Sequence, residues 1–185
     1  MHNNLLVRSA CKCRGPASRR KRIERVAAPV HDVGMKYRTV PTQFGNLTLT
    51  EEAGAITALG WARSAQQDAS DLLDEAAAQL AAYAAGKRAV FDLPLRVTGS
   101  DFQRDVCSAM SSIPFGHTVT YGDIAKKLGV PAQAVGQACG GNPIPIIIPC
   151  HRVMGAKGLT GFSGAGGVET KVALLRHEGA AGLLI

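Results

Sequence analysis

The apolar pattern of the chain before Gly99 differs from the pattern after it, and this difference limits the folds that the sequence can adopt. Before Gly99, the segments "KYRTVPT", "GNLTLTEE" and "GAITALGWA" are short, partly alternating and separated by glycine-containing turns. Such segments are typical of a three-stranded antiparallel meander. After it, apolar residues recur at helical spacing in several short segments. The sequence therefore predicts an α/β fold, with a small N-terminal antiparallel sheet plus a helix, and a mostly helical C-terminal domain.

One amphipathic helix is predicted at the end of the first part, in "DASDLLDEAAAQLAAYAAG", with Gly86 as its C-terminal cap. Its apolar face comprises Leu72, Leu73, Ala76, Leu80 and Tyr83. A linker follows at residues 87–99. We therefore expect an N-terminal α/β domain with its linker at residues 35–99 and a C-terminal domain at residues 100–185.

Residues 1–34 form a basic leader that differs from the rest of the chain. They contain eight Lys/Arg and two acidic residues, so they carry six of the seven net positive charges. We expect a disordered leader, or an upstream extension that precedes a true start at Met35. The alternative is a basic arm that attracts phosphates. The remaining chain is nearly neutral, so its charge does not by itself indicate nucleic-acid binding.

The cysteines do not form a disulfide pattern, because their number is odd and their spacing irregular: Cys11, Cys13, Cys107, Cys139 and Cys150. A reducing cytosol is therefore the expected compartment. A site made of Cys11, Cys13 and His31 matches no common zinc spacing, so no metal is expected. The sequence also lacks the apolar run of about 20 residues that a membrane-spanning helix requires.

The segment "TYGDIAKKLGVPAQAVGQACGGN" predicts a helix-turn-helix, with Thr120 as an N-cap and Gly129 as a stop. Two helices joined by a short turn also occur in many small α domains, so DNA binding is one of two interpretations. The second helix repeats small residues at Ala132, Ala134, Gly136, Ala138 and Gly140. This indicates that either a nucleic-acid groove or the protein core approaches its backbone closely.

The segment "IPIIIPCHRVMG" predicts a buried apolar strand that Pro149 ends, immediately before Cys150. An isolated cysteine is most often inert packing, and we expect this of Cys107 and Cys139. Cys150 differs because His151 follows it, and a thiol becomes a useful nucleophile when a base or a positive charge lowers its pKa. Glu178 is the carboxylate best placed to orient such a base.

Several segments resemble one protein family. "NPIPIIIPCHRV" closely resembles the active-site signature of the O6-alkylguanine-DNA alkyltransferases, the methylated-DNA–protein-cysteine methyltransferases, in their bacterial Ogt-like form. "TVTYGDIAKKLGVP", "AVGQACGGNP", "GLTGFSGAGGVETKVALLRHEG" and "MKYRTVPTQFGNLTL" are similar to the same family and stand in its usual order. The similarity covers roughly residues 35–180 and favours Met35 as the true start.

The resemblance implies direct-reversal repair of double-stranded DNA. The protein would flip an O6-alkylguanine out of the duplex and transfer its alkyl group to Cys150, which inactivates the protein after one event. O4-alkylthymine is a candidate second substrate. The resemblance implies no cofactor and no metal, a monomer, and a cytoplasmic location. Competing interpretations are a non-catalytic lesion-binding protein, a transcription regulator and an unrelated cysteine hydrolase.

The resemblance also assigns roles to residues. The catalytic set is Cys150 as nucleophile, His151 as base through a water, Glu178 as its orienting group, Asn142 beside the thiolate, and Tyr121 as a donor to guanine N3. The implied substrate contacts are Ser163, Val153, Phe162, Pro145 and Arg152. For Arg152, binding a phosphate and bracing the fold remain open alternatives. The implied DNA contacts are Gln133, Ala132, Ala134 and Gly136.

Three positions depart from the family pattern. Gln133 stands where the family usually has an arginine that inserts into the base stack, so weaker DNA binding or slower flipping is expected. Cys107 stands in place of a common tryptophan, and Phe162 in place of a tyrosine. Because these changes affect the pocket wall, the sequence does not predict the preferred size of the alkyl group.

Overall fold

The computed structural model describes residues 34–159 and 161–180, so the expectations for the basic leader and for Cys11, Cys13 and His31 lie outside the described residues. Strands β1 (Lys36–Thr42), β2 (Gly45–Glu52) and β3 (Ala55–Gly60) pair in sequence order as an antiparallel sheet. The predicted meander is therefore confirmed.

The turn between β2 and β3 has positive φ at both of its central residues. Ala53 and Gly54, between β2 and β3, have φ of 46° and 74°. Positive φ at both central residues is the geometry of tight hairpin turns whose twist matches that of the strands. One face of the sheet is then buried, and it includes Leu47, Leu49 and Ile56.

Helix α1 (Asp71–Ala84) packs on this buried face. Ser70 caps its N-terminus, and Leu73, Ala76, Leu80 and Tyr83 are fully buried, whereas the predicted Leu72 is only half-buried at the edge. At its C-terminus Gly86, with φ 71°, donates to Tyr83 O at 2.9 Å and Lys87 donates to Ala82 O at 2.9 Å. This pair of bonds is the Schellman arrangement, and it explains the glycine.

The segment at residues 87–99 is more than a linker, because part of it extends the sheet. The Ile56 amide donates to Pro94 O at 2.8 Å, and the Arg96 amide donates to Ile56 O at 3.0 Å. The segment therefore covers one edge of β3 before the chain enters the helical domain.

The helical domain begins with α2 (Asp101–Ser111), followed by α3 (Tyr121–Leu128) and α4 (Ala132–Gly140). Thr120 and Asp123 form a capping box at the start of α3, and Gly129 ends it with φ 69°. Helices α3 and α4 pack against each other across this short turn. The predicted helix-turn-helix and the predicted fold class are confirmed.

The predicted strand in "PIPIIIP" is wrong. The segment forms a turn in which Ile146 has φ 73°, and Cys150 opens a short 3-10 helix, Cys150–Arg152. Pro149 has φ −82° and ψ 67°, an inverse γ-turn, so the Cys150 amide donates to Ile148 O at 2.8 Å. Prolines lack the amide hydrogen that a strand ladder needs, which explains why the apolar content does not produce a strand.

A short parallel pair then connects the reactive segment to the helix-turn-helix. Strand β4 (Val119–Thr120) pairs with β5 (Val153–Met154), which directly follows the 3-10 helix. The last helix, α5 (Val168–His177), packs against that 3-10 helix. In residues 34–159 and 161–180, no helix is both long and apolar enough to span a membrane.

We predict that Gly129→Ala destabilises the protein by about 1 kcal/mol, because a Cβ is strained at φ 69°. Gly136→Ala is the matched control: it lies inside α4, and an added Cβ there meets no atom within 4 Å. We expect this control to be neutral or stabilising by up to about 1 kcal/mol. Guanidinium unfolding of both variants measures the difference, and an equal loss at both positions would contradict the prediction.

Candidate active site

A surface cavity of about 400 Å³ lies where the helix-turn-helix meets the glycine-rich loop. Its lining combines polar and apolar side chains with exposed backbone, from Tyr121, Gly136, Cys139, Gly140, Cys150, Gly161, Phe162 and Ser163. Four of the predicted catalytic and substrate residues therefore share one cavity: Cys150, Tyr121, Phe162 and Ser163. Cys150 is only 5% exposed, and it lines this cavity.

Asn142 holds the turn that delivers Cys150. Its side-chain nitrogen donates to Ile148 O at 2.8 Å, and its side-chain oxygen accepts from the Ile144 amide at 3.1 Å. Because the Cys150 amide donates to the same Ile148 carbonyl, Asn142 and Cys150 are fixed against one another. Asn142 therefore holds the turn that precedes Cys150.

The Cys150 thiol has opposing influences on its pKa. Burial raises the pKa, while a hydrogen bond from Asn142 and the positive charge of Lys171 act in the lowering direction. Burial has the largest effect, so the net result is a pKa above the ordinary value. At neutral pH the resting group is therefore a thiol, which needs a proton acceptor before it can react.

His151 is fully buried, and its two ring nitrogens have different surroundings. Nε2 lies 2.7 Å from Glu178 Oε1, whereas Nδ1 has no hydrogen-bond partner among the described residues. Burial lowers the pKa of His151 despite the nearby carboxylate, so the ring is neutral. Because an ionised carboxylate only accepts, the proton must sit on Nε2, which leaves a lone pair on Nδ1. In this tautomer the Nδ1 atom of His151 can accept a proton, as a general base must.

Glu178 is surrounded by donors. Its Oε1 accepts from the Tyr83 hydroxyl at 2.7 Å, from His151 and from Arg152 Nη2 at 2.9 Å. Its Oε2 accepts from Arg152 Nε at 2.8 Å and from the Gly116 amide at 3.3 Å. Burial alone would raise the pKa of Glu178, but the hydrogen bonds from His151 and Arg152 outweigh it and hold the pKa far below the ordinary value. The carboxylate is therefore ionised at every physiological pH.

Tyr121 reaches the cavity because of its place in the chain. It is the first residue of α3 and directly follows Thr120, which pairs with Met154 in the short parallel ladder. This ladder brings the start of α3 next to the segment that follows Cys150. Ser163 is exposed in the glycine-rich loop and lines the same cavity. Two residues that carry hydroxyl groups therefore line one cavity from independent elements.

Three residues predicted to contact substrate do not line the cavity. The guanidinium of Arg152 is buried, engages Glu178 and donates from Nη1 to Ile113 O at 2.6 Å, so Arg152 braces the fold and does not bind a phosphate. Val153 is fully buried, and its carbonyl accepts from Lys171 Nζ at 2.7 Å. Pro145 is buried within the turn and bridges to Ile148.

The predicted DNA contacts lie on the outward part of α4. Ala132 and Gln133 are exposed at its start, Ala134 is half-buried, and Gly136 lines the cavity. A Cβ added at Gly136 or at Gly140 would meet no atom within 4 Å. Close packing of the protein core therefore does not require these two glycines.

Lys171 was missed by the sequence analysis. It is fully buried, its positive charge opposes the burial effect that raises the pKa of Cys150, and its Nζ hydrogen bond ties α5 to the segment after the cysteine. The available signal was its position three and four residues before Leu174 and Leu175, on the buried face of α5.

Cys139 also has a place that the sequence did not indicate. The sequence analysis assigned it to inert packing, and burial raises its pKa to about 12, but it lines the cavity together with Cys150.

Within the part of the chain that the structure describes, no group of three His, Cys, Asp or Glu side chains could hold a metal ion.

The structure combines a sheet domain, a helix-turn-helix and a cavity lined by Cys150, with the buried His151–Glu178 pair next to that cysteine in the chain. These features define a class of protein with a nucleophilic cysteine. Two family models match this chain: the ribonuclease-like domain of 6-O-methylguanine DNA methyltransferase at residues 35–97, and the DNA binding domain of the same family at residues 101–180. Together they span most of the sequence. The chain belongs to the 6-O-methylguanine DNA methyltransferase family.

Individual relatives agree with this assignment. A methylated-DNA–protein-cysteine methyltransferase of Mycolicibacterium paratuberculosis is 42% identical over 159 residues, which are 78% of this chain and 92% of the relative. The crystal structure of Mycobacterium tuberculosis O6-methylguanine methyltransferase is similar with a TM-score of 0.71 at 41% identity, over 80% of this chain and 94% of that one. The Mycobacterium tuberculosis OGT in complex with DNA has a TM-score of 0.70 at 43% identity, over 78% and 93% of the two chains.

We predict that Glu178→Gln lowers the free energy of unfolding at pH 7 by about 3 kcal/mol, because it leaves the buried Arg152 charge unpaired. The folded-state pKa of Glu178 is depressed, so its stabilisation is present above the unfolded pKa of about 4.3 and is lost as pH falls below it. The deficit of the variant should therefore shrink between pH 7 and about pH 3.

The matched control is Glu169→Gln, which removes an exposed carboxylate from the first turn of α5, the helix that Glu178 caps at its other end. We expect it to change stability by no more than about 0.5 kcal/mol at either pH. Urea unfolding at the two pH values gives all four comparisons. A Glu178→Gln deficit that stays constant with pH would show that the charge is not its cause.

Proposed function

We propose that this protein repairs alkylated DNA by direct reversal, moving an alkyl group from guanine O6 to the sulfur of Cys150. The observation that carries the proposal is the placement of a buried thiol at the base of an open cavity, next in sequence to a neutral histidine that a carboxylate orients. The names of the relatives, which are methylated-DNA–protein-cysteine methyltransferases, support the same reaction.

The first step is removal of the thiol proton. The lone pair on His151 Nδ1 accepts it through a water, and the imidazolium that forms is stabilised by Glu178, which lies 2.7 Å from Nε2. Lys171 and the Asn142 amide favour the thiolate electrostatically. Burial therefore keeps the thiol protonated at rest, and the surrounding donors stabilise the anion when it forms.

The second step is displacement at the alkyl carbon. The thiolate lone pair forms a carbon–sulfur bond while the bond from that carbon to guanine O6 breaks, so the electron pair leaves with the base. The developing negative charge on guanine needs hydrogen-bond donors. Tyr121 and Ser163 line the cavity and supply them. The product on Cys150 is a thioether without a good leaving group, so each chain reacts once.

DNA approaches through the helix-turn-helix. The exposed start of α4 and the open backbone at Gly136 and Gly140 allow a duplex to come close to the cavity. A guanine enters such a pocket only after it leaves the base stack. One chain contains all the groups that the reaction needs, so the proposal requires only a monomer. Its thiol chemistry suits the reducing cytosol.

We predict that incubation with a duplex containing O6-methylguanine adds the mass of one CH2 unit to the Cys150 peptide, once per chain. Cys150→Ala should bind the same duplex and gain no mass. Cys107→Ala is the control, because Cys107 is buried in α2 beside Gln103 and is not one of the residues that line the cavity. Intact-protein and peptide mass spectrometry measure both outcomes. A duplex with O4-methylthymine tests the second substrate.

Three results of that experiment would contradict the proposal. Binding without any mass gain in the unaltered protein would favour a non-catalytic lesion-binding protein. Repeated turnover would indicate a cysteine hydrolase. Mass gain in the Cys150→Ala variant would show that another thiol is the acceptor, and Cys139 would then be the residue to test because it lines the same cavity.

We predict that Gln133→Arg tightens binding to duplex DNA several-fold and steepens the dependence of log affinity on log salt by about 0.9, the value for one added phosphate contact. The reason is that Gln133 is exposed at the start of α4 and carries no charge. Gln66→Arg adds the same charge on the exposed surface of the sheet domain and is the control. Equal effects of the two variants would show that net charge, and not position, is responsible.

A further inference from the structure

The one tryptophan of the chain, Trp61, directly follows β3 and touches the wall of the active-site cavity. Its ring meets that of Phe162 edge to face, with centroids 5.7 Å apart and planes at 86°. Phe162 lines the cavity together with Cys150 and Ser163. A side chain of the sheet domain therefore supports the wall of a site that belongs to the helical domain.

Trp61 is itself held firmly. Its Nε1 donates to Phe44 O at 2.9 Å, and an added Cβ at Gly45 would lie 3.4 Å from Trp61 Cδ1. The Phe44 ring packs on Tyr83, at 6.2 Å between centroids, and on His177, at 5.3 Å. The turn that fixes Trp61 is thus packed against both α1 and α5.

The loop fits closely around the two rings. A Cβ at Gly164 would overlap the Phe162 ring and would lie 2.7 Å from Trp61 Cη2. The residues from Gly161 to Gly164 lie outside helices and strands, so no regular backbone ladder fixes them. Side-chain contacts must therefore determine where this wall stands, and the Trp61–Phe162 pair is one of them.

We propose that Trp61 is a specificity-determining and positioning residue. By fixing Phe162 it sets the width of the cavity beside Cys150 and limits the size of the alkyl group that is accepted. It also holds the neighbouring Ser163 where that residue can donate to guanine O6. This inference rests on the proposed alkyl transfer, and it assigns to the sheet domain a part in choosing the substrate.

The test compares transfer rates from duplexes with O6-methylguanine and with O6-benzylguanine. An edge-to-face aromatic pair is worth a factor of roughly 2 to 10. We expect Trp61→Ala to slow methyl transfer by about fivefold and to raise the benzyl-to-methyl rate ratio at least about threefold. Trp61→Phe keeps an aromatic ring and should restore the ratio to within about twofold of the unaltered protein.

Tyr37→Ala is the matched control, because it removes another half-buried aromatic ring from the sheet domain without contact to the cavity. It should leave the rate ratio unchanged. An equal loss of both rates in Trp61→Ala would mean a structural role only and would overturn the inference. Absence of transfer by the unaltered protein would instead overturn the proposed function as well.

A second measurement starts from the unaltered protein and does not require the Trp61 variants. Because the chain has one tryptophan, its emission reports on the Phe162 contact. We expect the emission of the unaltered protein to change when Cys150 receives a benzyl group, and to change less in Phe162→Leu. Emission that is unaffected by benzylation would show that a large group on Cys150 does not disturb the Trp61–Phe162 contact, and would overturn the inference.

Discussion

The buried carboxylate of Glu178 is the interaction on which the rest of the structure depends. It accepts hydrogen bonds from Tyr83 of the sheet domain, from the Gly116 amide before β4, and from His151 and Arg152 of the cysteine segment. Three separate parts of the chain therefore donate to one charge at the end of α5. A buried ion pair adds little net stability, but removing one partner is strongly destabilising, so this carboxylate fixes a geometry more than it adds free energy.

Local signals explain why much of the fold could be predicted from the sequence. Turn glycines, the Thr120 cap and the helical stop at Gly129 act within a few residues, and each has its predicted place. The "PIPIIIP" segment shows the limit of this reasoning. Its isoleucines favour a strand, but its prolines remove donors, and the Asn142 side chain supplies the hydrogen bonds of a turn instead.

The sequence predicted only those site residues that belong to a recognisable family motif. Cys150, Tyr121, Phe162 and Ser163 were named from the family resemblance, and the cavity brings them together. Lys171 was missed because a lysine in a helix usually faces solvent, and its burial depends on packing against the cysteine segment. The bracing role of Arg152 was likewise undecided, since its partner Glu178 lies 26 residues away and only the tertiary fold joins them.

A raised thiol pKa is unusual for a nucleophile, but it suits a protein that reacts once. A permanently ionised, exposed thiolate would be oxidised or alkylated by any small electrophile, and each such event would destroy one molecule. Burial keeps Cys150 protonated and largely shielded from solvent, while the neutral His151 retains a lone pair on Nδ1 for the proton. In the proposed mechanism, Cys150 therefore reacts only when a guanine with its alkyl group occupies the cavity. Burial disfavours the thiolate in the resting protein, and a slow reaction there protects a thiol that can be used only once.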